Sequence, residues 1–106
     1  MNPEQIERYS RQIKLPQLGE PGQRRLLDAR VLIIGMGGLG SPVSMYLAAA
    51  GVGHLVISDY DRVDESNLQR QIVHTQASIN ELKATSARDT LLRLNPAASV
   101  DALNYE

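Results

Sequence analysis

The chain has 106 residues, 42% hydrophobic and 22% charged, with a formal net charge of -1 and no cysteine. That composition fits one small globular domain with a modest core. It offers no basic field for nucleic acid and excludes disulfides, thiolate metal sites and a cysteine nucleophile within the chain. No apolar run approaches the ~20 residues of a membrane span. Met1 to Lys14 lacks the apolar core of a signal peptide, so a cytoplasmic protein without a membrane partner is the default expectation.

Pro3 to Ile13 reads as a short polar helix with Ile6, Tyr9 and Ile13 on one stripe. Leu15 to Gly22 carries Pro16, Gly19, Pro21 and Gly22 and reads as a loop. Gln23 to Ala29 predicts a short helix with Leu26 and Leu27 facing inward. Arg30 to Ile34 is an apolar run bounded by glycine, the pattern of a buried strand. Gly35, Gly37, Gly38 and Gly40 follow, and Ser41 to Ala50 predicts a helix. Pro42 suits its first turn and Gly51 ends it, with Val43, Leu47 and Ala50 as the expected buried face. His54 to Ser58 is a second strand, closed by Asp59, and Tyr60 to Gln71 is polar. Ile79 to Leu94 predicts a long helix with Ala84, Ala87, Leu91 and Leu94 on one face, stopped by Asn95-Pro96. Ser99 to Leu103 is a candidate third strand.

The order β-α-β-α-β with right-handed crossovers gives a parallel sheet. The expected fold class is therefore α/β: a Rossmann-like β-α-β-α-β half of a doubly wound parallel sheet, preceded by short N-terminal helices. Residues 1–29 form the helical arm and residues 30–106 the nucleotide-binding half-domain. Three strands are half of a doubly wound sheet. A fragment, or a partner that completes the sheet, is the expectation.

A glycine-rich turn between strand and helix lets the chain bend sharply and lets a phosphate approach the helix N-terminus, where free N–H groups and the helix dipole favour an anion. Asp59 lies 19 residues after Gly40, at the end of the next strand, where a carboxylate can accept ribose hydroxyls. Turn and acid together favour nucleotide binding over a strand-end aspartate that merely caps a turn. They leave NAD, FAD, ATP and adenosylmethionine open. The polar loop then supplies Asn67, Arg70 and Gln71, and Lys83 follows. These donors and cations suit a triphosphate. Taken singly, Arg70 and Lys83 read as solvated surface.

His54 and His74 have no second ligand at metal spacing and read as structural. Ser10, Ser41 and Ser66 have no base partner and read as caps or turn residues. With no Trp, no Phe and four Tyr, the chain lacks an aromatic platform for single-stranded nucleic acid. Met36 and Met45 read as packing residues.

Several runs together resemble the N-terminal part of the ThiF/MoeB/HesA family, the bacterial relatives of ubiquitin-activating enzymes. They are Arg8-Tyr9-Ser10-Arg11-Gln12-Ile13, the glycine turn with Ser41-Pro42, Tyr46 to Gly53, Ser66-Asn67-Leu68-Gln69-Arg70-Gln71, Lys83 and Leu94-Asn95-Pro96. The resemblance covers nearly the whole chain. It implies ATP-dependent adenylation of the C-terminal Gly-Gly carboxylate of a ubiquitin-like sulfur carrier, ThiS-like or MoaD-like, in thiamin or molybdopterin synthesis. It implies Gly35, Gly37, Gly38 and Gly40 against the nucleotide, Asp59 on the ribose with Asp61 nearby, and Asn67, Arg70, Gln71 and Lys83 toward the phosphates. Arg70, Lys83 and Arg11 would carry catalysis, Arg11 reaching the triphosphate of a neighbouring subunit in a homodimer, like an arginine finger. Without the resemblance, Arg11 reads as a helix-surface charge.

The departures are specific. The family's magnesium-binding aspartate, its Cys-X-X-Cys zinc pairs, its crossover-loop cysteine and its carrier-docking surface lie beyond residue 106. Mg2+ therefore lacks its expected ligand in this chain, and neither Asp61 nor Asp64 is promoted to metal ligand. Asn80 and Leu82 stand where the family commonly has Gly and Pro. The 106 residues alone are expected not to catalyse adenylation. The alternative is a truncated, inactive nucleotide-binding or dimerisation module.

Overall fold

The computed structural model describes residues 1–104. Helices α1 (Pro3–Arg8), α2 (Ser10–Ile13) and α3 (Gly19–Asp28) precede strand β1 (Arg30–Ile34). Helix α4 (Gly40–Ala50), strand β2 (His54–Ser58), helix α5 (Lys83–Leu94) and strand β3 (Ser99–Leu103) follow, with short 3-10 turns at Glu65–Asn67 and Gln76–Ser78. The three strands are parallel in the order β1-β2-β3. Register pairs Ile33 with Ile57 and Ile57 with Ala102. The α/β architecture and all three strand spans match the sequence reading.

One face of the sheet is covered. Ile33, Leu55 and Ile57 pack with Ala48 of α4 and with Ala87 and Leu91 of α5. Residues on opposite sides of a strand alternate. Leu32 and Ile34 therefore point to the other face and are 58% and 69% exposed.

Four details differ from the sequence reading. The first helix is interrupted at Tyr9, whose ring is buried and whose hydroxyl accepts from Asn95 Nδ2 at 2.7 Å; Ile6 is exposed rather than packed. Helix α3 starts at Gly19, inside the stretch expected to be a loop. Pro21 falls in its first turn, where its missing N–H is tolerated. The buried residues of α4 are Ser41, Ser44 and Ala48, while Val43 is exposed. Small side chains bring α4 close to its neighbours, and the hydroxyls are used: Ser44 Oγ donates to the Ser41 carbonyl and Ser41 Oγ accepts from the Val73 N–H.

The fourth difference is the start of α5, at Lys83 rather than Ile79. The backbone of residues 79–82 is committed elsewhere. Val63 N–H donates to the Glu81 carbonyl, Asn80 N–H to the Val63 carbonyl, and Arg62 bridges Leu82 in antiparallel fashion. Asn80 takes a φ of 74°, which a helix cannot continue. Beyond this start, Ala84, Ala87 and Leu91 are buried as expected and Leu94 is half-buried.

The covered face carries the stability. Leu55→Ala, at a fully buried site on the central strand, is expected to destabilise the chain by about 3 kcal/mol, whereas Leu32→Ala on the bare face should cost well under about 1 kcal/mol. Urea unfolding of the two variants checks this, and equal losses would contradict a one-sided core.

Candidate functional site

The site grows from the end of β1. Gly35 has a φ of +92°, a conformation that a side chain disfavours, and its N–H donates to the Ser58 carbonyl at 2.8 Å. Gly40 is needed for proximity: a Cβ there would collide with the Gly35 carbonyl. The turn therefore folds tightly onto the start of α4. That helix has Leu39 as its N-cap with no side-chain hydrogen bond; within its first turn Ser41 N–H donates to the Gly37 carbonyl at 3.0 Å and Pro42 has no N–H.

Asp59, at the end of β2, closes the turn from the second strand. Its Oδ2 accepts from the Met36 N–H at 2.7 Å and its Oδ1 from the Asp61 N–H at 2.8 Å. A carboxylate has about four acceptor positions, so both oxygens keep capacity for further donors. Beside it lies a cavity of about 470 Å³ lined by Ile34, Gly35, Ser58, Asp59 and Tyr60.

The polar loop folds back over the turn. Asp64 accepts from the N–H and hydroxyl of Ser66, which hold its carboxyl below the usual carboxylate value. Asn67 Oδ1 accepts in return from the Asp64 N–H at 2.8 Å, so the Asn67 side chain caps its own loop. The Arg70 and Gln71 N–H groups then donate to the Asn67 carbonyl. This brings the Arg70 side chain to 3.8 Å from the Cβ position of Gly38, and Gln71 Nε2 to 3.7 Å from that of Gly37. Gln71 is buried, and its Oε1 has no hydrogen-bond partner among the described residues. Lys83 is only 7% exposed, and its Nζ lies 3.8 Å from Asp61 Oδ2.

The structure thus gathers Gly35, Gly37, Gly38, Gly40, Asp59, Asp61, Arg70, Gln71 and Lys83 at the C-terminal edge of the sheet. Arg11 stands apart. It is exposed on α2, and its neighbour Gln12 donates to the Ala50 carbonyl, at the far end of α4. A helix of 11 residues is about 16 Å long at ~1.5 Å per residue.

A phosphate group fits the tight turn at the start of α4 with the Arg70 side chain beside Gly38, while Lys83 stands against Asp61. Magnesium does not fit them in the same way. Among the described residues no group of three or more His, Asp or Glu side chains could hold a metal ion.

Two residues that the sequence assigns only a structural or turn role have specific partners at the turn. Ser41 holds the returning loop through Val73. His74 is buried between the turn and α5, with Nε2 2.9 Å from the Met36 carbonyl oxygen and Nδ1 2.8 Å from Ser86 Oγ. Only the position of His74 just beyond Arg70-Gln71 could have flagged it.

The ThiF family matches residues 9–106. The probable adenylyltransferase/sulfurtransferase MoeZ of Mycobacterium tuberculosis is 56% identical over 97 residues, covering 92% of this chain and 25% of that protein. The adenylyltransferase and sulfurtransferase MOCS3 of Drosophila willistoni is 55% identical over 95 residues, covering 90% of this chain and 21% of that one. Among solved structures, the E. coli tRNA N6-threonylcarbamoyladenosine dehydratase TcdA in complex with ATP superposes with a TM-score of 0.90 at 26% identity, covering 97% of this chain and 42% of that one. The chain belongs to the ThiF family and spans about a quarter of the length of the curated relatives it matches.

Burial pushes the His74 imidazole below its ordinary value of 6.5; the Met36 carbonyl opposes this, Lys83 adds to it and Asp59 opposes it. The unfolded chain then binds the proton more readily than the folded one. The stabilisation that His74 contributes is complete above pH 6.5 and is lost as pH falls toward the folded value. Thermal unfolding across this range should show that loss, and His74→Gln should flatten it; an unchanged slope in the variant would contradict the assignment.

Proposed function

We propose that this ThiF-family chain holds ATP for the adenylation of a carboxylate, the C-terminal carboxylate of a ubiquitin-like sulfur carrier, ThiS-like or MoaD-like, in thiamin or molybdopterin synthesis. The observation that carries the reading is the placement of Arg70 and Gln71 directly over Gly38 and Gly37 at the N-terminus of α4. The names of MoeZ and MOCS3, which pair adenylyl transfer with sulfur transfer, support the choice of a sulfur carrier.

In this reading the nucleoside lies in the cavity beside Gly35 and Tyr60, with ribose hydroxyls donating to the remaining acceptor positions of Asp59. The α4 N-terminus and Arg70 receive the phosphates. The carrier carboxylate attacks the α-phosphorus, the bond to the bridging oxygen breaks, and pyrophosphate leaves with the electron pair. Two anions must be held together while charge builds on the leaving group. Arg70 and Lys83 supply positive charge on this chain. Arg11 supplies it from a neighbouring subunit of a homodimer, because the arm places it at the other end of α4 from its own turn. Asn67 sets the loop that delivers Arg70.

A second reading is a nucleotide-binding or dimerisation module that does not catalyse by itself. It is favoured by the lack of a metal-holding carboxylate group among the described residues.

Calorimetric titration of the purified chain, with NAD as control, tests the first reading. ATP is expected to bind with NAD silent. Arg70→Ala should weaken ATP by about tenfold to a hundredfold, the worth of one charge-assisted hydrogen bond, and leave adenosine nearly unchanged. Equal losses for the two ligands would contradict a phosphate role.

A further inference from the structure

His74 has both ring nitrogens engaged, and the two partners fix its tautomer. A carbonyl oxygen only accepts, so the nitrogen 2.9 Å from the Met36 carbonyl, Nε2, must carry a proton and donate. In the neutral ring Nδ1 then accepts from the Ser86 hydroxyl at 2.8 Å. Met36 is held on its other side too, since its N–H donates to Asp59 Oδ2.

The consequence lies in the next peptide. The Met36 carbonyl and the Gly37 N–H belong to one planar trans unit and point in opposite directions. A ring that pulls the carbonyl toward α5 therefore turns the Gly37 N–H away from α5. With glycine at 35, 37 and 38, the backbone alone resists rotation of this peptide very little.

The segment that carries His74 does not depend on the ring for its place. Val73 N–H donates to Ser41 Oγ at 2.6 Å, and its carbonyl accepts from Thr90 Oγ1 at 2.6 Å. Ser41 lies in the first turn of α4, and Thr90 lies on α5. The bond from His74 to Met36 is thus separable from the folding of its surroundings.

We propose that His74 is a positioning residue of the nucleotide site, locking the Met36–Gly37 peptide so that the Gly37 N–H faces the bound phosphate. This rests on the nucleotide reading given above and goes beyond it by assigning a role to a residue that touches no ligand. The lock works from behind. It adds no charge to the site, and it requires the imidazole to donate from Nε2 in particular.

Two substitutions separate this role from simple core packing. Glutamine places an amide N–H near the position of Nε2, so His74→Gln retains the donor to Met36. Asparagine reaches only the position of Nδ1, so His74→Asn loses it. The Gly37 amide resonance of the ligand-free chain should be single and sharp in the wild type and in His74→Gln. It should be broadened or doubled in His74→Asn, as the peptide samples both orientations. ATP affinity should fall about tenfold in His74→Asn and stay within about threefold in His74→Gln. An unperturbed Gly37 resonance in His74→Asn overturns the proposal, as do equal affinity losses in the two variants. Should the wild type bind no ATP, the functional reading fails by itself, and the Gly37 resonance still decides whether His74 locks the turn.

Discussion

A helix N-terminus offers its N–H groups to a ligand only if the strand feeding it stops in one place and turns in one way. Here that constraint is met at Met36, whose N–H is taken by Asp59 and whose carbonyl is taken by His74. The first bond ties the end of β1 to the end of β2; the second ties the turn to the loop at His74, whose other ring nitrogen meets Ser86 of α5. Gly35 supplies the left-handed bend and Gly40 the room for α4 to start close to it. Every other element of the site is placed relative to this turn. The loop from Asp64 to His74 returns over it, anchored by Asn67 at one end and by Ser41, Thr90 and Ser86 at the other.

The opposite end of α4 is organised as tightly, and with polar groups. Gln12 and Gln23 both donate to the Ala50 carbonyl, and Asn95 donates to the Ala48 carbonyl while also reaching the Tyr9 hydroxyl. The last carbonyls of a helix lack continuing intrahelical donors, and here the Ala48 carbonyl also accepts from the Gly51 N–H at 3.2 Å. Gly51, with a φ of +99°, ends the helix where a Cβ would press on Gln23 and Tyr9. Helix α4 thereby links two regions far apart in sequence: the arm that bears Arg11 is fastened to one end and the glycine turn forms the other. Buried hydrogen bonds of this kind resist rearrangement because breaking one leaves an unsatisfied polar group in the core.

Much of the fold was legible in the sequence because its signals are local. Runs such as Val31 to Ile34 and Leu55 to Ile57 are apolar, short and bounded by turn residues, and all three strands fall where those patterns put them. The glycine turn and Asp59 were legible through their spacing. The parts that were not legible depend on long-range partners. Helical periodicity cannot reveal that the backbone of residues 79–82 is spent on Asp61 to Val63, which delays α5 to Lys83. Nor can it reveal that α4 buries Ser41 and Ser44 rather than Val43, since that choice is made by hydrogen bonds to Val73 and within the helix. His74 reads as structural and Asn95 as part of a helix stop, but the sequence does not show that these two and Gln23 are each buried with a specific partner more than 20 residues away. The arginine over the turn was legible as chemistry, but its distance from Gly38 was not.

The most direct measurement is an ATP titration of the isotopically labelled chain followed through its backbone amide resonances. The account predicts that the largest shifts centre on Gly35 to Ser41 and on Arg70 and Gln71, with Arg8 to Gln12 nearly still in the monomer. Shifts centred on the arm, or spread evenly over the chain, would contradict a nucleotide site built on the N-terminus of α4.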